Sequence, residues 1–249
     1  MRRRFRLPLL ASLLTIALLT PARGASAATD RLPDLAMAKL QHLVTDHDGS
    51  RRLLRFTAII VNVGAGPMEV RSQRATTSSP WTSQQVIYDD AGGSRLVDTP
   101  GVDLVYGGDG HNHWHVRDLE RYTLVLKDGG SEQRGGNKAG FCFFDNYRYK
   151  LSLPGAPQTV VYPRSACGTQ TSRSLDHGLS VGWGDSYSWS LPDQYIDTTG
   201  LADGIYRLTA TADQDGDFLE SNESNNSTWV DLRIDAVNGV TVLRKAPNP

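Results

Sequence analysis

Cysteine is scarce in this 249-residue chain, which has two, Cys142 and Cys167. So few cysteines exclude a small fold held together by several disulfides. In an oxidising compartment the pair is expected to form one disulfide. The alternative is that both are thiolate ligands of a soft metal, although neither belongs to a CxxC pair. The sequence favours the disulfide.

Long apolar runs are also missing. The longest, Leu7 to Leu19, is too short to cross a bilayer. It follows a cluster of arginines and precedes Ala25-Ser26-Ala27, an arrangement typical of a cleaved export signal. We therefore predict a signal peptide at residues 1–27 and a secreted, extracellular protein that has no membrane anchor. The remaining residues, 28–249, suit a single domain.

The chain has no excess of positive charge. Removing residues 1–27 takes away five arginines and no acidic residue, which leaves 21 basic and 27 acidic side chains and a formal net charge of −6. A mildly acidic surface argues against a nucleic-acid partner and favours cationic substrates such as amines.

Helical periodicity is absent beyond two turns after residue 27. Apolar and alternating runs recur instead between clusters of Gly, Asp, Asn and Pro, and they predict strands. The clearest are Leu53 to Val63, Ile205 to Thr211 and Trp229 to Ile234. We expect an all-β fold, a single β-sandwich domain with long loops, one of them Tyr147 to Thr171. Lys245 to Pro249 reads as a frayed tail.

Histidine is sparse but clustered, since three of the six stand at every second position: His111, His113 and His115. Alternate side chains of an extended segment share one face, and imidazole is a common ligand of copper and zinc. The spacing therefore predicts a metal site. The outer Cα atoms of a straight strand would be about 13 Å apart. A twist or bulge is needed, and the glycines at 107, 108 and 110 allow one.

Several short motifs occur in an order that resembles the lysyl oxidase family of copper-dependent amine oxidases. The resemblance covers roughly residues 32–236. Its motifs are Leu32-Pro33-Asp34-Leu35, Leu54-Arg55-Phe56 with Val61-Asn62-Val63-Gly64, the histidine run, Gly136 to Cys142, Gly178 to Tyr187, and Glu220-Ser221-Asn222 with Asn225-Asn226.

The resemblance implies that His111, His113 and His115 bind copper and that Lys138 and Tyr187 form the cofactor lysine tyrosylquinone. The implied reaction converts primary amines, either peptidyl lysine or small amines, to aldehydes with dioxygen, and releases ammonia and hydrogen peroxide. Two alternatives stay open: a secreted copper-binding β-sandwich without activity, and a zinc-dependent hydrolase that uses the three histidines. Neither alternative needs the Lys138 and Tyr187 pair.

Proton abstraction from the amine requires a base, and two aspartates are candidates. Asp185 precedes Tyr187 by two residues and shares its face if the segment is extended. Asp118 follows the histidine run and is more suited to hold a ligand imidazole.

Carboxylates and amides dominate residues 213–226, and their oxygens are calcium ligands. No EF-hand pattern is present, and a polar hairpin loop is the alternative. The resemblance implies a structural calcium held by Asp34, the Leu35 carbonyl, Glu220, Asn222, Asn225 and Asn226. Asn222 stands where the family usually has aspartate, which removes one charge.

Overall fold

The computed structural model describes residues 27–107, 112–127, 132–136, 138 and 140–249, so the predicted signal peptide lies almost wholly outside the described residues. In this part of the chain the regular elements are strands and two short 3₁₀ turns, Arg164–Cys167 and Glu223–Asn225. The all-β prediction is confirmed. Within the described residues, no helix is long and apolar enough to cross a membrane.

The strands are, in chain order, β1 (Asp30–Arg31), β2 (Leu35–Met37), β3 (Gln41–Asp48), β4 (Arg51–Asn62), β5 (Met68–Gln73), β6 (Thr82–Asp89), β7 (Ser94–Asp98), β8 (Leu104–Tyr106), β9 (Trp114–Arg117), β10 (Glu120–Leu126), β11 (Glu132–Gly135), β12 (Gly140–Phe141), β13 (Tyr147–Arg148), β14 (Ser174–Leu179), β15 (Trp183–Tyr187), β16 (Tyr195–Asp197), β17 (Gly204–Ala212), β18 (Ser227–Asp235) and β19 (Gly239–Lys245).

The long strand β4 organises one face of the molecule. It pairs with β2, β3, β15 and β16, all antiparallel, and β13 adds to the outer edge of β15. One face of β4 enters the main core with Phe56 and Ile60, while Ile59 and Val61 on the other face pack in a second apolar cluster. Burial on both faces explains the nearly continuous apolar run in the sequence.

The second layer of the sandwich is the antiparallel sheet β11-β10-β17-β18-β19. Its inward residues alternate along β17, where Tyr206, Leu208 and Ala210 are buried in the same core as β4. The layers meet where the rings of Phe56 and Tyr122 contact edge to face, with centroids 4.8 Å apart. Alternation along these strands is what the sequence predicted for half-buried strands.

Two further antiparallel sheets complete the described fold. One follows the order β1-β6-β5-β14, with β7 also paired to β6. The other is small and has the order β12-β9-β8. The small sheet matters most for function, because it joins the histidine segment to the segment that follows Lys138.

The predicted frayed tail is wrong. Residues 246–249 follow β19 and remain bound: the Ala246 N–H donates to the Trp229 carbonyl at 2.9 Å, and the Tyr149 hydroxyl donates to the Pro249 carbonyl at 2.9 Å. These partners are remote in sequence, so local composition could not reveal them.

Candidate metal and cofactor site

Two imidazoles converge at the N-terminal end of β9. His115 belongs to the strand, His113 directly precedes it, and their side chains are 3% and 6% exposed. Their Nε2 atoms are 2.9 Å apart, and the rings lie edge to face with centroids 4.6 Å apart. His111, the third residue of the motif, lies outside the described residues.

This spacing fits a shared metal ion. Two nitrogens bound at about 2.05 Å and at a right angle, as in tetragonal copper sites, are about 2.9 Å apart. A hydrogen bond between two imidazoles has the same length. The two nitrogens fit a copper site, and a metal titration distinguishes a shared ion from a hydrogen bond between the rings.

The chain bends where the sequence required a bend, and among the described residues the bend lies at Asn112. Asn112 has φ +38°, in the left-handed region that asparagine tolerates better than most residues. The turn is closed by the Gly107 N–H, which donates to the His113 carbonyl at 3.0 Å. Gly108 and Gly110 lie outside the described residues.

Lys138 and Tyr187, separated by 49 positions in the chain, are neighbours in the fold. The Lys138 Nζ lies 5.0 Å from the Tyr187 ring centroid and 5.3 Å from that of Phe141. The Phe141 ring packs edge to face on Tyr187 at 4.5 Å. Lys138 is 9% exposed, and Tyr187 is buried. The amine therefore lies beside the phenol ring and the Phe141 ring.

Strand β12 links this pair to the histidines. Phe141 pairs with Val116, one residue beyond His115. A Cβ at Gly140 would lie 3.0 Å from the Cβ of His115 and 2.8 Å from the Val116 carbonyl oxygen. Only glycine allows this close approach, which holds the lysine segment against the histidine strand.

The Tyr187 hydroxyl is held by the backbone of Cys142. It accepts from the Cys142 N–H at 2.8 Å and donates to the Cys142 carbonyl at 3.1 Å. Burial raises the pKa of Tyr187 well above its usual value, so the phenol stays neutral. As predicted, Cys142 forms a disulfide with Cys167. The Cα atoms of the two residues are 6.0 Å apart.

Asp185 lies on the same face of β15 as Tyr187 and is buried. Its Oδ1 accepts from Asn146 Nδ2 at 2.6 Å, and its Oδ2 has no hydrogen-bond partner among the described residues. Burial raises the pKa of the Asp185 carboxyl well above its usual value, while the Asn146 hydrogen bond, the nearby Tyr187 hydroxyl and the charge of Lys138 oppose that rise. Asp118, by contrast, is exposed in the turn between β9 and β10, where φ is +55°.

Glu120 is a site residue that the sequence analysis missed. It is 3% exposed, and neither carboxyl oxygen has a hydrogen-bond partner within the described part of the chain. Burial raises its pKa to about 8, while the nearby Tyr122 hydroxyl, which makes no hydrogen bond to Glu120, and the positive charge of Lys138 oppose that rise. The available signal was the alternation of Glu120, Tyr122 and Leu124, which places the glutamate on the inward face of β10.

The residues of the implied calcium site are partly brought together. Glu220 accepts from the Leu35 N–H and, at 3.0 Å, from Asn226 Nδ2. Asp34 accepts from Asn225 Nδ2 at 2.7 Å. Leu35 thus contributes its N–H to this cluster.

Asn222 has a different partner. Its side chain caps the 3₁₀ turn Glu223–Asn225 by accepting from the Ser224 N–H at 3.1 Å. Two carboxylates that the sequence analysis did not select, Asp213 and Glu223, each place an oxygen within 4.8 Å of the other and of Glu220. Burial, the largest cause, raises the pKa of Asp213 to about 6 and that of Glu220 to about 8.

His177 forms a separate buried feature. Its ring stacks on Phe143 with centroids 6.0 Å apart, and neither nitrogen has a hydrogen-bond partner among the residues described. Burial lowers its pKa from 6.5 to about 4. The folded protein therefore keeps this ring neutral at a pH where the unfolded chain would protonate it.

We expect this imidazole to make the fold acid-sensitive. Between pH about 6.5 and 4, His177 is protonated in the unfolded chain but neutral in the folded protein. The free energy of unfolding therefore decreases by about 3 kcal/mol as the pH falls through this range. Urea unfolding at pH 7 and pH 4.5 should show a smaller loss for His177→Phe than for the wild type. The exposed His47→Phe variant should match the wild type, and equal losses for all three proteins would contradict the assignment.

A family model described as lysyl oxidase matches residues 106–242. The chain is 25% identical over 187 residues to lysyl oxidase homolog 3A of Danio rerio, a match that covers 75% of this chain and 20% of that protein. It is 26% identical over 178 residues to lysyl oxidase homolog 4 of Mus musculus, covering 72% and 18%. It is 31% identical over 127 residues to protein-lysine 6-oxidase of Gallus gallus, covering 49% and 26%. The chain thus spans only about a fifth to a quarter of the length of these relatives.

Proposed function

The chain belongs to the lysyl oxidase family, and on that premise we propose that it is an exported copper amine oxidase. It converts primary amines to aldehydes with dioxygen and releases ammonia and hydrogen peroxide. The name of the Gallus gallus relative, protein-lysine 6-oxidase, favours peptidyl lysine as substrate, with small amines as the other possibility. Residues 1–27 serve as the signal peptide, and residues 28–249 form the catalytic domain.

The observation that carries this proposal is the position of the Lys138 Nζ, 5.0 Å from the Tyr187 ring centroid. Neither a non-enzymatic metal-binding protein nor a zinc hydrolase requires a buried lysine beside a buried tyrosine. Taken alone, a lysine is among the residues least often found buried. The burial of Lys138 beside Tyr187 is consistent with a lysine that forms a covalent bond to the tyrosine ring.

His113 and His115, with His111, would hold the copper ion. Their burial protects the metal from competing ligands, and the short Nε2 separation supports a shared ion. When bound, the copper ion and the lysine tyrosylquinone supply the two-electron oxidation of the amine by dioxygen.

The protein's own residues orient the reacting groups and move protons. The Cys142 backbone fixes the Tyr187 hydroxyl, and Phe141 fixes the ring plane. Lys138 must lose the proton on Nζ before it can bond to the ring. In its ionised form the Asp185 carboxylate, whose Oδ2 has no hydrogen-bond partner among the described residues, accepts the proton from the carbon next to the substrate nitrogen.

Peptide mass mapping of the copper-loaded, aerated protein tests the proposal. The tryptic peptides that contain Lys138 and Tyr187 should be recovered as one linked species, and a primary amine should then release peroxide. A metal-free sample kept without oxygen is the control and should give separate peptides. Separate peptides after copper loading, with no peroxide, would reject the oxidase.

We further propose that calcium binds at Glu220, with Asp34, the Leu35 carbonyl, Asn222, Asn225 and Asn226 as the set implied by the resemblance. Asp213 and Glu223 join this set because their oxygens adjoin Glu220. Three neighbouring carboxylates, two with raised pKa, repel one another when ionised. A divalent cation would remove that repulsion.

Calcium is expected to stabilise the protein more at high pH than at low pH. A carboxyl with a raised pKa contributes stability that is complete below pH about 4.5 and is lost as the pH rises through about 8, here for Glu220. Calcium at a hundredfold excess over its Kd should add about 2.7 kcal/mol at pH 8, and less at pH 5.5, where protons compete. Thermal unfolding with and without calcium measures this.

Glu220→Gln should abolish the calcium response, while Asp215→Asn, on an exposed acid of the same loop, should retain it. An unchanged calcium response in Glu220→Gln would exclude this cluster as the site.

A further inference from the structure

A buried arginine adjoins the histidine strand. Arg74, directly after β5, is 8% exposed. Its guanidinium lies 4.5 Å from the ring centroid of Trp81 and 4.6 Å from that of Trp114. The two indoles contact each other edge to face at 5.1 Å. A cation held against two tryptophan rings is a strong cation–π arrangement, and arginine suits it because its guanidinium is planar.

Three backbone carbonyls complete the surroundings of this cation. Arg74 Nε donates to the Ser172 carbonyl at 2.8 Å, Nη2 to the Gln170 carbonyl at 2.7 Å, and Nη1 to the Thr77 carbonyl at 2.6 Å. Among the ion pairs of the described residues, none includes Arg74. The arginine is therefore tied to backbone at fixed positions and not to a mobile acidic side chain.

Trp114 is tied to the same loop. Its Nε1–H donates to the Thr169 carbonyl at 2.8 Å. We call residues 168–172 the stapled loop, because they follow Cys167, whose disulfide partner Cys142 binds the Tyr187 hydroxyl. Arg74 and Trp114 thus both donate to carbonyls of a loop that is covalently joined to the tyrosine's anchor.

The histidine strand needs such an anchor. Strand β9 has four residues and is flanked by two residues in left-handed conformations, Asn112 and Asp118. Asparagine and aspartate adopt this conformation more readily than most residues, but it still costs free energy that the surrounding contacts must offset. Trp114 stands between His113 and His115, so fixing its ring fixes the backbone that carries both ligands.

We propose that Arg74 is a positioning residue for the copper ligands. It clamps Trp114 between its guanidinium and the stapled loop, and so sets the separation of the His113 and His115 Nε2 atoms. This inference rests on the proposed function, because it takes those nitrogens as copper ligands. It assigns a role in metal binding to a residue that no metal-ligand motif includes.

Copper titration of the metal-free protein tests the clamp. Arg74→Met should bind Cu²⁺ about tenfold more weakly than the wild type, which is the smaller loss typical when a residue that orients a ligand is removed. Its Cu²⁺ electron paramagnetic resonance spectrum should also change, because the ligand geometry changes. A merely structural role would lower the melting temperature and leave that spectrum as in the wild type.

Arg148→Met is the matched control. Arg148 also lies over an indole, with its guanidinium 5.5 Å from Trp183, and donates to the Gln158 carbonyl, but it belongs to β13 in another sheet. This variant should keep the wild-type copper affinity and spectrum.

Trp114→Phe provides the test if Arg74→Met does not fold. It keeps an aromatic face for Arg74 but removes the donor to Thr169 and part of the ring that contacts Trp81, so it should weaken copper binding and alter the spectrum. Wild-type affinity and spectrum in the folded variant would overturn the clamp. Full copper binding by the His113→Ala variant would instead overturn the proposed function.

Discussion

Tyr187→Phe is expected to abolish amine oxidation while the protein keeps its fold and its copper. The phenol is the group that becomes the quinone, so without it no link to Lys138 can form. The loss of the hydroxyl leaves the Cys142 N–H and carbonyl without their shared partner, which should cost about 1–3 kcal/mol of stability. Peptide mapping, reaction with phenylhydrazine and peroxide release after addition of an amine measure the result.

Tyr122→Phe is the matched control, because Tyr122 is also a buried tyrosine whose ring contacts Phe141, with centroids 6.1 Å apart. Its hydroxyl exchanges hydrogen bonds with Gln194 and does not contact Cys142. This variant should still form the Lys138 and Tyr187 link. If Tyr187→Phe oxidised amines at the wild-type rate, the quinone proposal would be wrong and a mechanism based on the metal alone would have to replace it.

Replacing either described histidine with alanine should remove copper. In His113→Ala and His115→Ala, one of two Nε2 donors 2.9 Å apart is lost. Affinity should fall by more than about 100-fold, since even residues that only orient a ligand are worth about 10- to 100-fold. Copper content after dialysis and the copper-dependent formation of the linked peptide report the loss.

His42→Ala should retain full copper content, because His42 is exposed on β3 and its Nδ1 bonds to the Thr57 hydroxyl. Full copper occupancy in His113→Ala would mean that the short contact between the two rings is only a hydrogen bond. The metal site would then have to be sought elsewhere in the chain.

The fold class followed from local pattern, because alternation and short apolar runs report which face of a strand is buried. The run Leu53 to Val63 marked β4 to within a few residues of Arg51–Asn62. Its pairing with four other strands could not be predicted, since each partner lies far away or across a turn of unknown geometry. The tail after β19 was misjudged for the same reason.

The site could be anticipated only where a motif carried it. His113, His115, Lys138 and Tyr187 came from motifs, whereas Glu120 belongs to no motif and was not selected. Its burial depends on β10 lying between β11 and β17, with its inward face against the core. Asp213 and Glu223 were passed over because the family motif does not include them.

By itself, the sequence determined the all-β class, the disulfide partners, the candidate ligand types and the family resemblance, because these depend on composition, spacing and the order of motifs. The tertiary structure alone decided that Lys138 lies over Tyr187, that Cys142 holds the phenol, and that Arg74 clamps Trp114. Each of these contacts joins residues from different strands or loops. Which distant segments meet is set by strand pairing and core packing, and no local pattern encodes that choice.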